Sequence, residues 1–203
     1  HDVQVVVPTG SDLTTKTGSA ETEATGSYGT VRAKTGSGGV EIEHASEHLI
    51  IDAGSGDLRC DVAEKHVRAR SGSGDVEIGE VRGPGAISTG SGSITLGRAD
   101  DKLVVKTGSG DAQVQRSTGD IVLVTGSGSL RVAHAERGSI RAKTGSGDVS
   151  VGIATNTPVW TDVTTGSGRI RSDLAPVGKP QEDQEHVELR LQTGSGDITL
   201  QQV

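Results

Sequence analysis

The 203-residue sequence contains no Phe and no Met, and only one residue each of Cys, Trp and Tyr. Its apolar residues are nearly all Val, Ile, Leu and Ala, which suit a thin core of stacked small side chains rather than a wide core filled by aromatic rings. The lone Cys60 excludes an internal disulfide and a thiolate metal cluster, and we expect it to be a small buried apolar residue. Because Met is absent, residue 1 is not a translation start, and we expect the chain to be processed or cut from a longer one.

Several functional features are also missing. No basic cluster with interleaved aromatic residues occurs, so we expect no nucleic-acid partner. No apolar run approaches the roughly 20 residues that cross a bilayer, so we expect no membrane span in this chain. No nucleophile stands beside a base, no glycine-rich loop leads into a helix, and no carboxylates cluster at a fixed repeat position. The sequence therefore predicts no catalytic residues, no cofactor and no metal.

What the sequence does contain is a repeated Thr-Gly-Ser-Gly-Asp motif. Near-copies begin every 18 residues and then continue at spacings of 19, 21 and 28; they start at Thr17, Thr35, Ala53, Ser71, Thr89, Thr107, Thr125, Thr144, Thr165 and Thr193. A fixed period of this length is typical of a solenoid with one coil per repeat. We expect the glycines to supply positive φ angles in the turn.

Two strands per coil follow from the apolar positions. Counted from the motif Thr, the sixth and eighth positions are aliphatic, as in Val40 and Ile42 or Ile94 and Leu96, and a second apolar pair such as Leu103 and Val105 precedes each motif. Alternation with period two indicates one buried face of a strand. The eleventh position is mostly Ala, which predicts a tight inner corner. We therefore predict about ten coils of 18 residues, stacked about 4.8 Å apart.

We interpret residues 1–203 as one solenoid domain. Alternating Val3, Val5 and Val7 predict an N-terminal capping strand within residues 1–16, followed by regular coils over 17–143 and coils with inserted loops over 144–203. In chain order the last coil would leave Ile198, Leu200 and Val203 on an unpaired apolar edge, which predicts self-association through the solenoid ends.

With its Thr-Gly-Ser-Gly-Asp-Val repeats, the sequence resembles a bacterial family of unknown function that is described as adhesins with β-strand repeats. The resemblance covers about residues 3–203. It implies an all-β, single-stranded, right-handed β-helix, often on proteins tied to the cell envelope, with no catalytic residues established. We accordingly expect an extracytoplasmic or envelope-associated location.

The two inserted segments are the candidate binding loops, because solenoid insertions gather on one face and often bind partners. One contains the only Trp, and the other runs from Leu174 to His186. The predicted contacts to an unknown protein or glycan partner are Trp160, Glu182, Asp183, Glu185 and His186. We expect an exposed Trp160 to anchor the partner, with coverage of the apolar end of the solenoid as the alternative.

Our leading hypothesis is a non-catalytic structural or adhesion-type scaffold. The alternatives are an ice- or surface-binding solenoid with exposed Thr and Ser ladders, and a polysaccharide-acting β-helix enzyme. Continued strand parity would turn Thr107 and Ser109 inward, against the first alternative. The motif Asp could cap the turn or bind calcium. His48 and His66, in one column, could bind zinc or form a solvated turn.

Overall fold

The computed structural model of the protein describes residues 3–174 and 186–203, and these residues form twenty β-strands and no helix. None of the described residues forms a helix that is long and apolar enough to cross a membrane. The strands lie in two parallel sheets of ten strands each. The predicted all-β solenoid is therefore confirmed.

The first sheet contains β1 (Leu13–Thr17), β3 (Val31–Thr35), β5 (His48–Ala53), β7 (His66–Ser71), β9 (Gly85–Thr89), β11 (Leu103–Thr107), β13 (Ile121–Ser127), β15 (Gly138–Ser146), β17 (Val159–Ser167) and β19 (Val187–Ser195). The second sheet contains β2 (Thr22–Tyr28), β4 (Val40–Ala45), β6 (Leu58–Ala63), β8 (Val76–Val81), β10 (Ile94–Ala99), β12 (Ala112–Ser117), β14 (Leu130–Ala135), β16 (Val149–Ile153), β18 (Ile170–Ser172) and β20 (Ile198–Gln202). Each coil contributes one strand to each sheet.

Neighbouring coils pair at a register of one repeat. Leu103 lies opposite Ile121 in the first sheet, and Ile94 lies opposite Ala112 in the second, each 18 residues on. A single coil would leave the backbone groups along both of its edges unpaired, whereas the stack pairs them with the coils above and below. The repeat length is therefore the length of one complete winding.

The core lies between the two sheets and consists of stacked columns of like residues. Ile78, Leu96 and Val114 form one such column, and each is at most 2% exposed. The predicted inner corner is confirmed at Ala99 and Ser117, which are completely buried. These columns need no aromatic ring, because the two sheets approach closely enough for aliphatic side chains to fill the space.

The turn motif is held by its Thr. Thr107 Oγ1 donates to the Gly92 carbonyl of the preceding coil at 2.9 Å and accepts from the Gly110 amide at 3.1 Å. The inward parity predicted for Thr107 is thus confirmed, but Ser109 is exposed, contrary to prediction. Consequently the Thr ladder that an ice-binding surface would need is not available to solvent.

The glycines of the turn serve a different purpose from the one predicted. Gly110 does not have a positive φ, but a Cβ there would overlap the Gly92 carbonyl oxygen of the neighbouring coil. Gly108 meets the Gly90 carbonyl in the same way. Among the described motif glycines a positive φ occurs only at Gly147 and Gly196. Close approach of successive backbones, rather than unusual φ, therefore explains most of these glycines.

The order of the last coils differs from their order in the chain. β19 pairs with β15 on one side and with β17 on the other, and β20 likewise lies between β16 and β18. Residues 187–203 are thus inserted beneath the coil of β17 and β18. The prediction of an unpaired apolar C-terminal edge was therefore wrong: Ile198 is 0% and Leu200 is 2% exposed, and of the three predicted residues only Val203, at 43%, is exposed.

Both ends of the stack are more polar than the middle. In the last coil Thr161 lies opposite Leu189, and Ser172 lies opposite Leu200. In the first coil Thr15 lies opposite Ala33, and Thr22 opposite Val40. Polar residues at core positions are what a terminal coil needs, because one of its faces meets water.

The predicted N-terminal capping strand is not formed by the valines that suggested it. Residues 3–8 belong to no strand, and Val3, Val5 and Val6 are 86%, 71% and 92% exposed. The first strand begins instead at Leu13, where register with Val31 is established.

Candidate functional site

The outward-facing side chains of the first sheet form a surface that we call the basic face. On each strand they alternate with the buried residues, so Lys106 points outward between the buried Val105 and Thr107. Nine exposed cations lie at these positions, namely Lys16, Arg32, Lys34, Arg68, Arg70, Lys106, Arg141, Lys143 and Arg190. Only three acidic residues share them, namely Asp52, Asp162 and Glu188. The formal charge of the whole chain is −7, so this face has the opposite sign to the protein.

The cations of the basic face are mostly unpaired. Of these nine cations, only Arg190 forms an ion pair with a described residue, Glu188, at 2.8 Å. On the second sheet three arginines have acidic partners: Arg59 lies 3.4 Å from Glu77, Arg98 lies 2.7 Å from Asp100, and Arg116 lies 3.4 Å from Glu136. Exposed ion pairs contribute little to stability, but they neutralise a surface locally. The basic face therefore keeps a positive potential that the opposite face has lost.

In one outward column, the cations from Lys34 onward recur on every second strand, whereas Lys16 on β1 lies directly opposite Lys34 on the neighbouring strand. Lys34 on β3 lies opposite Asp52, which lies opposite Arg70 on β7. Beyond it Ser88 separates Arg70 from Lys106, and Val124 separates Lys106 from Lys143 on β15. Adjacent strands are about 4.8 Å apart, so Lys34, Arg70, Lys106 and Lys143 are successively about 9.6 Å apart. This distance is close to the Debye length of about 8 Å in physiological salt, which limits their mutual repulsion.

The neutral strands between the cationic ones carry short or apolar side chains. Ala86, Val122 and Val124 occupy the outward positions there, and the two valines are half-buried. Two hollows lie on this part of the face, with volumes of about 420 and 430 Å³. Val122 and Arg141 line both hollows. This part of the basic face is thus a furrowed surface in which valines lie between long cationic side chains, with Asp120, Asp162 and Glu188 also at the edges of the hollows.

Trp160 lies at one end of the basic face. It points outward from β17 with 46% of its surface exposed, and the guanidinium carbon of Arg190 lies 5.7 Å from its ring centroid. The inward positions of β17 are held by Val159, Thr161 and Val163. Trp160 therefore does not cover the open end of the solenoid, and its ring is available at the surface beside a cation.

The other predicted contact residues are placed only in part. Glu182, Asp183 and Glu185 lie outside the described residues. His186 is exposed and lines the 420 Å³ hollow together with Glu188 and Lys102. Trp160 thus lies on the basic face itself, and His186, directly before β19, lies at the hollow beside it.

The motif aspartates have a structural role. Asp57 accepts a hydrogen bond from the Asp75 amide at 2.9 Å, and Asp111 accepts one from the Ser129 amide at 2.7 Å. Each carboxylate therefore joins its own coil to the next. The sequence analysis had instead predicted that it caps its own turn. One oxygen of each of these carboxylates is already engaged by protein.

The histidine column does not assemble into a metal site within the described residues. His48 and His66 form an edge-to-face pair with centroids 6.1 Å apart, and no group of three or more His, Cys, Asp or Glu side chains in the described ranges could hold a metal ion. His44 instead bonds to Glu64 at 3.1 Å, and this bond, with help from Arg82, lowers the pKa of the Glu64 carboxyl.

Cys60 lies in the core with 2% of its surface exposed, as the sequence predicts. Burial raises the pKa of its thiol to about 12. Since the thiolate is the nucleophile and metal ligand, this side chain is unreactive at neutral pH in the folded protein.

Sequence reasoning missed the basic face. It noted exposed charges between the core residues but compared only adjacent coils, in which Glu41, Arg59 and Glu77 alternate in sign. The signal lies at twice the repeat: Lys34, Arg70 and Lys106 are 36 residues apart. A search at the double period would have found the column.

The comparisons with known proteins agree with this architecture. No curated protein and no solved structure matches the chain. One family model does, over residues 1–201, and its description is Toastrack DUF4097. The match spans nearly the whole solenoid, so the chain belongs to the Toastrack DUF4097 family, whose function is unknown.

Proposed function

We propose that the protein is a non-catalytic scaffold of adhesion type, associated with the bacterial cell envelope, that holds one charged face toward a partner. The observation that carries this proposal is the set of eight exposed cations on the basic face that form no ion pair with a described side chain. A face that served only the fold would gain nothing from uncompensated charge of one sign, because the stack is held by backbone pairing and a buried core.

The shape of the molecule supports the same function. A stack of coils bonded at every strand fixes the positions of its surface groups, so a partner meets a rigid array and little ordering entropy is lost on binding. Trp160 adds an exposed aromatic group beside Arg190 at the end of this array. Tryptophan and arginine are the side chains most often found at the energetic centre of interfaces.

Co-sedimentation of the purified protein with isolated bacterial cell-wall fragments tests this proposal. We expect the protein to sediment with the fragments and to release no soluble sugar from them. The variant Trp160→Ala should bind more weakly with an unchanged melting temperature, because its ring is exposed and not part of the core. Protein that stays in the supernatant, or that releases sugar, would contradict the proposal. A lower melting temperature for the variant would assign Trp160 a structural role instead.

A further inference from the structure

The basic face has a spacing that specifies its partner more closely. We propose that it binds a linear anionic polysaccharide that carries one carboxylate per disaccharide and lies along the solenoid axis. This inference rests on the proposed scaffold function and names the chemistry of the partner. Four of the five cations in one column, Lys34, Arg70, Lys106 and Lys143, provide the repeated contacts; the fifth, Lys16, lies one strand beyond Lys34 at the end of the column.

The distance between these cations is the first reason. Successive members are two strands apart, about 9.6 Å, over a total of about 29 Å. This is about the length of one disaccharide in an extended linear polysaccharide, so a chain with one carboxylate per disaccharide can place a charge at each cation without bending. Four disaccharides would then occupy the column.

Other linear polyanions fit this spacing less well. Phosphates follow one another at about 3.4 Å along each strand of B-DNA. Proteins that bind single strands stack the bases on several aromatic side chains, whereas Trp160 is the only Trp, Tyr or Phe at the outward positions of the described strands of this sheet, and the exposed rings of His48 and His66 lie edge to face against each other. In an extended acidic peptide, side chains on one face recur at about 6.8 Å. None of these repeats coincides with two strands of the sheet.

The surface between the cations is the second reason. Ala86, Val122 and Val124 are shorter than the basic side chains around them, and the hollows of about 420 and 430 Å³ open beside the two valines. Sugar rings present apolar C–H faces that these valines can cover, with carboxylates directed to the cations. A membrane-binding surface would instead carry apolar side chains that protrude beyond its cations.

Titration calorimetry with hyaluronan oligosaccharides of at least four disaccharides, at about 50 mM salt, tests the inference. The wild-type protein should bind, with an affinity that falls as salt rises. The variant with Lys34, Arg70, Lys106 and Lys143 all changed to Ser should bind about tenfold more weakly or worse, with a shallower salt dependence. Its melting temperature should stay near that of the wild type, because all four side chains are exposed and unpaired.

A matched control carries the same change in net charge on the opposite side. Changing Arg59, Arg98, Arg116 and Arg131 to Ser should leave the affinity within about twofold of wild type, since these arginines lie on the second sheet. An equal loss in both quadruple variants would overturn the inference, because binding would then follow net charge alone.

The spacing itself is tested by moving one cation. Lys106→Ser combined with Ser88→Lys preserves the charge of the face but shifts a cation by one strand. It should bind as weakly as Lys106→Ser alone, and recovery of wild-type affinity would overturn the disaccharide match. Asp52→Ser removes the one acid within the column and should tighten binding.

Vesicles of phosphatidylglycerol separate a lipid partner from a glycan. If they bind as tightly as the oligosaccharide and respond equally to the quadruple change, the glycan assignment is wrong. If cell-wall fragments retain the protein but hyaluronan does not bind, the scaffold function stands and the glycan assignment fails. If neither binds, both proposals fail.

Discussion

At the scale of single residues, the Thr of the turn motif is buried and hydrogen-bonded, whereas the Ser of the motif is exposed. The Thr hydroxyl satisfies one amide in its own turn and one carbonyl in the preceding coil, as at Thr107. The Ser two positions on is exposed. Strand parity predicted the burial of Thr107 correctly but failed at Ser109, because the turn begins between them and ends the period-two alternation.

The change Thr107→Val tests this division. Valine keeps the shape of Thr but leaves the Gly92 carbonyl and the Gly110 amide without their partner, so we expect a loss of about 1–3 kcal/mol in the free energy of unfolding. Ser109→Ala, two residues away and exposed, should change that free energy by less than about 0.5 kcal/mol. Urea unfolding of both variants is the measurement, and equal effects would show that the Thr hydroxyl has no special role.

At the scale of elements, the inserted coil is the feature that the sequence could not reveal directly. Every coil has the same columns, so β19 and β20 fit anywhere in the stack as far as register is concerned. The repeat period fixes which residues face each other but not which coils are neighbours. A signal was nevertheless present, because Thr161 and Ser172 stand at core positions and thus mark their own coil as terminal.

Engineered disulfides distinguish the two orders. In the observed order Ser195 lies directly between Ser146 and Ser167, about 4.8 Å from each, which is within the Cα distance that a disulfide spans. The pair Ser146→Cys and Ser195→Cys should therefore oxidise readily. The pair Ser146→Cys and Ser167→Cys, two strands apart at about 9.6 Å, should not.

The measurement is the shift in electrophoretic mobility after mild oxidation. The native thiol does not interfere, because burial raises the pKa of Cys60 to about 12. Preferential bonding between positions 146 and 167 would mean that the coils stack in chain order.

At the scale of the whole molecule, stability is distributed along one dimension. Each coil contacts only its neighbours, so the free energy of unfolding is approximately a sum of coil and interface contributions. The sequence predicted this arrangement because the repeat is long, regular and nearly free of aromatic residues. The basic face was not predicted, because its cations recur at twice the repeat length, whereas the sequence analysis compared charges only between adjacent coils.

Two equivalent residues test the one-dimensional description. Ile94 and Ile170 both stand at the sixth repeat position, but Ile94 is 1% and Ile170 is 49% exposed. Ile94→Ala should cost about 2–5 kcal/mol, because it leaves a cavity between coils on both sides. Ile170→Ala should cost less than about 1 kcal/mol, because the end coil has one neighbour and water on its other face.

Hydrogen exchange adds a second readout to the same pair of variants. Ile94→Ala should reduce amide protection in the strands next to β10 more than in β1 or β17. Uniform loss of protection across both sheets would show that the stack unfolds as a single unit.

The inserted coil also has a mechanical consequence. In a solenoid stacked in chain order, tension applied at residue 203 would peel away an outermost strand and break one row of backbone bonds at a time. Here the first segment under load is β20, which is bonded to β16 and β18 at once. Pulling β20 out must break the backbone hydrogen bonds to both neighbouring strands together. The solenoid should therefore resist tension at residue 203 more strongly than a solenoid whose last strand has one neighbour.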